Sequence, residues 1–106
     1  MALWVREYET ADGKCPFREW LETLDRTVRA RVQARVARFE TGNLGDYKNV
    51  GSGVQEARLM FGAGYRIYFG RDGESLVLLL AGGTKESQSR DIRRAQGYWR
   101  DYLEGT

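Results

Sequence analysis

The sequence predicts an α+β domain built on a small, mostly antiparallel sheet. Helices pack on one face of that sheet, and an open, concave, polar face lies opposite. Three observations lead there. Tyr65–Phe69 and Leu76–Ala81 read as adjacent strands joined through Asp72-Gly73, a strong hairpin signal. Apolar residues recur at helical spacing twice in the first half of the chain and once near its end. At 106 residues the chain is one domain, residues 1–106, with room for a single core.

Leu3 to Tyr8 alternate as a strand does. Ala11-Asp12-Gly13-Lys14 is a turn, and Pro16 suits the first turn of a helix, where its missing N–H costs nothing. Phe17, Trp20, Leu21 and Leu24 form that helix's apolar stripe. Asp25 is a fitting N-cap for a second helix, with Val28, Val32, Val36 and Phe39 on its inner face and Gly42 at its C-terminal end. Asn43–Gly53 has three glycines and no apolar periodicity, and reads as a loop. Strand alternation resumes at Val54. Ala57, Leu59 and Phe61 share one face; Glu56 and Arg58 share the other with Val54 and Met60. Gly62-Ala63-Gly64 turns the chain into the Tyr65 strand. The run Leu76–Ala81, apolar on both faces, fits an interior strand. A last helix starts within Ser87–Asp91, with Ile92, Ala95, Trp99 and Tyr102 or Leu103 as its stripe and Gly97 as a weak point. The predicted order is β-α-α-β-β-β-α.

Composition excludes several functions. Net charge is +2 and hydrophobic content 42%, so neither a strongly basic nucleic-acid tail nor disorder is indicated. Lone Cys15 rules out a disulfide framework and a cysteine zinc site, and suits a reducing cytoplasm. Without histidine there is no Ser-His-Asp triad, no Cys-His pair and no histidine metal site. Charge at Arg6 and Glu7 comes too soon for a signal peptide, and the longest apolar run is too short to span a membrane. Gly82-Gly83-Thr84-Lys85 lacks the spacing of a nucleotide P-loop. No metal site and no cofactor are expected.

What remains is cations with tyrosines. Arg66 lies on an interior-looking strand, where an arginine must be paired or face a ligand. Alternation sets Arg66 and Tyr68 on the face of Glu56 and Arg58, opposite Tyr65, Ile67 and Phe69. Lys85 follows the end of the last strand. Arg58, Arg66 and Lys85 could therefore converge. Guanidinium forks match phosphate oxygens, lysine adds a mobile charge, and fixed cations stabilise a phosphoryl-transfer transition state. Tyr65 or Tyr68 could stack a base or hold a hydroxyl. The alternative is structural: Arg66 pairs with Glu56 across the sheet, and Tyr65 is core. The second helix carries Arg26, Arg29, Arg31, Arg35 and Arg38. These are either a solvated face or, with Arg29, Arg31 and Arg38 foremost, a contact for RNA or an acidic partner.

Glu56-Ala57-Arg58, Gly64–Phe69, Leu78–Lys85 with Gln88 and Asp91-Ile92, together with Phe17–Leu21 and the basic helix, resemble the HigB-like addiction-module killer proteins. These belong to the RelE/ParE toxin superfamily, and the resemblance covers nearly the whole chain. It implies a small sheet with helices on one face and a toxin neutralised by a cognate helix-turn-helix antitoxin. It further implies cleavage of mRNA, often on the ribosome. In that chemistry a ribose 2′-hydroxyl attacks the adjacent phosphate without a metal. By the same resemblance Arg66 stabilises the scissile phosphate, and Arg58 shares the charge or positions RNA. Lys85 binds phosphate or, beside arginines that disfavour a further positive charge, transfers a proton. Tyr68, Tyr65 and Glu56 orient the substrate, Glu56 also being an ion-pair partner. The chain has Glu86 where the RelE branch often has arginine, and Ile92 near where that branch has tyrosine, so the general acid and base stay open. The rival expectations are a ParE-type poison of DNA gyrase and a catalytically inactive module for binding antitoxin or DNA.

Overall fold

The computed structural model describes residues 2–105; Met1 and Thr106, the ends of the expected 1–106 domain, lie outside the described residues. The elements are β1 (Trp4–Glu7), α1 (Pro16–Thr23), α2 (Arg26–Glu40), β2 (Tyr47–Asn49), β3 (Val54–Leu59), β4 (Tyr65–Asp72), β5 (Leu76–Gly83) and α3 (Gln88–Glu104). The five strands make one mixed sheet in the order β1-β5-β4-β3-β2. β1 runs parallel to β5, and the other neighbours are antiparallel.

Local signals explain most boundaries. Pro16 opens α1, and Leu24 ends it in an extended conformation. Asp25 then caps α2 by accepting a hydrogen bond from the Val28 N–H at 3.0 Å. That cap satisfies one of the helix's unpaired N-terminal donors. Gly42 follows α2 with φ +89°, and its N–H returns to the Phe39 carbonyl.

Three expectations are corrected. Residues 43–53 are not all loop. Tyr47–Asn49 form an edge strand that pairs with Gln55–Ala57 of β3. All three side chains of β2 are exposed, and only the Tyr47 ring reaches back to the core, 5.9 Å from that of Phe69, so no burial pattern betrays the strand.

The second correction concerns the layers. α1 and α2 cover one face of the sheet, where Phe17, Leu21, Val32 and Phe39 meet Ala57, Ile67, Phe69, Val77 and Leu79. α3 covers the other face, where Ala95 and Trp99 meet Val54, Tyr68, Leu78 and Leu80. The face expected to be open is therefore largely roofed. The reason lies in β5, which buries Val77 and Leu79 on one side and Leu78 and Leu80 on the other. A strand apolar on both faces needs both covered.

The third correction concerns the arginines of α2, which do not all sit on a solvated face. Arg35 is buried and donates to the carbonyls of Arg58 (2.8 Å), Leu44 (3.2 Å) and Asp46 (2.8 Å). Arg29 donates to the carbonyls of Glu22 and Leu24, where α1 ends. No helix among the described residues is long and apolar enough to cross a membrane.

Candidate functional site

The expected convergence of cations occurs, at the end of the sheet instead of on its face. β3 and β4 pair Arg58 with Arg66, and β4 and β5 pair Arg66 with Gly83. This row lies beside the first turn of α3, where the roof stops. Lys85, two residues beyond Gly83, reaches the same place. Arg58, Arg66 and Lys85 line one pocket of about 520 Å³, with Met60, Phe61 and Tyr65 among the other walls.

Turn geometry builds the pocket. Gly62 and Gly64 take φ of +54° and +74° in the β3–β4 connection. A Cβ on Gly64 would come within 3.2 Å of Arg66 Nη1 and 3.3 Å of Lys85 Cβ. Glycine thus supplies both the left-handed backbone and the room for Arg66 and Lys85 to pack against the turn. The Lys85 N–H donates to the Ala63 carbonyl at 3.3 Å, tying the chain after β5 to this turn.

The three cations are held differently. Arg66 is 7% exposed and its Nε lies 3.5 Å from Glu56 Oε2, while Glu56 is fully buried. Nε forms no hydrogen bond of acceptable geometry, so the contact is an ion pair. Arg66 Nη1 donates to the Gly64 carbonyl at 2.7 Å, and Gln88 Nε2 donates to Glu56 Oε2 at 2.8 Å. The structural alternative for Arg66 is thus realised, yet its guanidinium still lines the pocket. Arg58 is half-exposed and stands 3.7 Å from Asp46 Oδ2. Lys85 is exposed, and its ammonium makes no ion pair among the described residues.

Tyr68 does not belong to the pocket. It is buried beneath α3, so it cannot stack or orient a substrate from there. Burial first, then the Glu56 and Asp91 carboxylates, push its phenol far above the ordinary tyrosine value. Its hydroxyl lies beside Glu56 without an acceptable hydrogen bond. Tyr65 does line the pocket, stacked obliquely on Phe61 with ring centroids 5.2 Å apart. Arg31 of α2 sits over the Phe61 ring at 4.4 Å, which brings one α2 arginine to the pocket's rim. Arg38, in the last turn of α2, is exposed and does not line the pocket.

Sequence reasoning passed over Met60 and Phe61 as site residues. The available signal was two aromatic residues bracketing a Gly-Ala-Gly turn beside the Tyr-Arg strand. The Gly82-Gly83 pair serves packing: a Cβ would meet the Trp20 ring at 2.1 Å and Asp91 Oδ2 at 1.8 Å, respectively. No three His, Cys, Asp or Glu side chains gather as a metal site among the described residues.

No family model matches the chain. A protein of Haemophilus influenzae is 41% identical to it over 81 residues, covering 76% of this chain and 82% of that protein. The chain belongs to that protein's family. The Haemophilus member carries only the description "Uncharacterized protein", so membership establishes kinship and brings no chemistry with it. For this member of the family, chemistry rests on the pocket.

Proposed function

We propose that the chain is the toxin of a type II toxin–antitoxin module, of the HigB-like kind in the RelE/ParE superfamily, and that it cleaves mRNA. The observation that carries this is the shared pocket of Arg58, Arg66 and Lys85. Three cations from two strands and a strand end meet where an extended RNA backbone can reach them. A helix-turn-helix antitoxin is the partner this reading requires, and the cytoplasm its compartment.

The reaction follows from what the pocket holds. The ribose 2′-oxygen attacks phosphorus, the bond to the 5′-oxygen breaks, and a 2′,3′-cyclic phosphate and a 5′-hydroxyl result. Negative charge grows on the nonbridging oxygens, where Arg66 and Arg58 stabilise it as fixed donors. The 2′-hydroxyl loses a proton and the 5′-oxygen gains one. Lys85 and Tyr65 are the pocket groups with transferable protons.

One observation favours a second reading, a binding module such as a gyrase poison. The pocket is lined by neither carboxylate nor histidine, so its proton-transfer equipment is sparse. Mapping RNA ends after induction without the antitoxin separates the two. New 5′-hydroxyl ends inside translated messages support cleavage. Growth arrest with DNA breaks and intact messages supports the gyrase reading. No arrest at all overturns both.

A further inference from the structure

Apart from the Tyr65 hydroxyl, the apolar side of the cationic pocket has no role in the chemistry above, and it is unusual for a surface. Met60 is 80% exposed. Beside it the Phe61 and Tyr65 rings pack at 5.2 Å with a 39° tilt. Both rings are anchored from behind on the core cluster beneath α2, and Arg31 lies against Phe61. All three side chains share the pocket with Arg58, Arg66 and Lys85. A rigid aromatic pair, a mobile thioether and a row of cations within one recess is the chemistry that takes an unstacked base and its phosphate together.

We propose that Met60, Phe61 and Tyr65 form a nucleobase subsite, which holds one base of single-stranded RNA flanking the phosphate gripped by Arg58, Arg66 and Lys85. The inference rests on the cleavage reading for its ligand class and adds a base-binding element to it. Arg31 belongs to the subsite as a positioning residue. Its guanidinium braces the Phe61 ring and adds positive charge behind the base. The tilted pair offers π-surface to any base, so the subsite grips without reading sequence. A double helix, whose bases are stacked and paired, cannot fill it.

The test uses a short RNA 2′-O-methylated at every position, which binds but cannot be cut. An otherwise identical set carries one abasic position, moved along the strand. Binding to the unmodified protein is followed by fluorescence anisotropy at low salt. The expected result is one position where loss of the base weakens binding about 5- to 150-fold, the equivalent of about 1–3 kcal/mol per stacked base. Met60→Ala, at an exposed site that leaves the fold alone, and Phe61→Leu should weaken the intact RNA. Neither should weaken the RNA that is abasic at that position further, because the partner is already gone. If every abasic RNA binds like the intact one while Lys85→Ala still weakens all of them, the base subsite is overturned and the phosphate cradle stands. If no RNA binds, or binding ignores Arg58→Ala and Lys85→Ala, the cleavage reading falls with it.

Discussion

Glu56 Oε2 lies 3.5 Å from Nε of Arg66 beneath the start of α3, with Glu56 shut away from solvent and Arg66 almost so. One face of the guanidinium's duty is therefore structural and the other looks into the pocket. Gln88 donates to the same Glu56 oxygen and fixes the carboxylate from the helix side. A buried ion pair costs desolvation, and it is worth little in net stability until one partner is removed. Arg66 therefore cannot be removed as if it served the pocket alone.

Arg66→Ala should abolish activity and also destabilise the protein by about 3–5 kcal/mol, because Glu56 is left buried and unpaired. The double variant Glu56→Gln with Arg66→Ala should regain most of that stability and none of the activity. Per folded molecule, the loss in rate should be roughly 100- to 1,000-fold. Denaturant melts beside a cleavage assay give both numbers. A folded Arg66→Ala protein with full activity would remove Arg66 from the chemistry.

Lys85 offers the cleaner test. Its side chain is exposed and pairs with no carboxylate among the described residues. Lys85→Ala should leave the melting temperature where it is and lower the rate per folded molecule by roughly 100-fold or more. Lys85→Arg should restore phosphate binding but not a proton-transfer role. Equal rescue of affinity and rate by arginine would reduce Lys85 to a phosphate ligand.

Tyr68 predicts an alkaline limit to stability. Its folded pKa is raised above the usual 10.0, chiefly by burial, so the native state keeps the proton that the unfolded chain gives up. Its contribution is complete below about pH 10 and is lost as pH rises from there toward the folded value. Tyr68→Phe should flatten that decline. It should also keep or raise stability at neutral pH, since a buried hydroxyl without a partner costs about 1–3 kcal/mol. Activity should survive the change. Melts between neutral and strongly alkaline pH, with a cleavage assay, check all three; lost activity in a stable Tyr68→Phe protein would return Tyr68 to the site.

Arg35→Leu should destabilise by at least about 1.5–3 kcal/mol, the worth of a single hydrogen bond to a charged group. Three carbonyls, of Leu44, Asp46 and Arg58, lose the Arg35 donor, although that of Asp46 keeps the Arg58 N–H at 3.3 Å. Arg35→Lys should recover little, because an ammonium cannot span three acceptors as the planar fork does. Hydrogen exchange should rise first at β2 and the preceding loop. Unchanged protection there would mean the fork is dispensable.

Sequence alone determined whatever local chemistry dictates. Pro16, Asp25 and Gly42 mark helix ends through single-residue backbone preferences, and Asp72-Gly73 marks the hairpin. The alternation in β3 and β4 sorts Ala57 and Ile67 from Glu56 and Arg66. Period-two alternation also allowed Arg58, Arg66 and Lys85 to converge, but the strand register that brings them together is not written in the sequence. Tertiary structure decided what depends on partners distant in the chain. β2 has three exposed side chains and is held chiefly by backbone pairing with β3, which writes no pattern. Arg29 and Arg35 read as solvated because arginine is polar, yet each found backbone carbonyls that only the packing of α1, α2 and β3 brought within reach. α3 could have covered either face by its stripe; the apolar side chains of β5 on both faces sent it opposite α1 and α2. That choice buried Tyr68 and Glu56 and left the pocket at the sheet's end, where the roof of α3 begins.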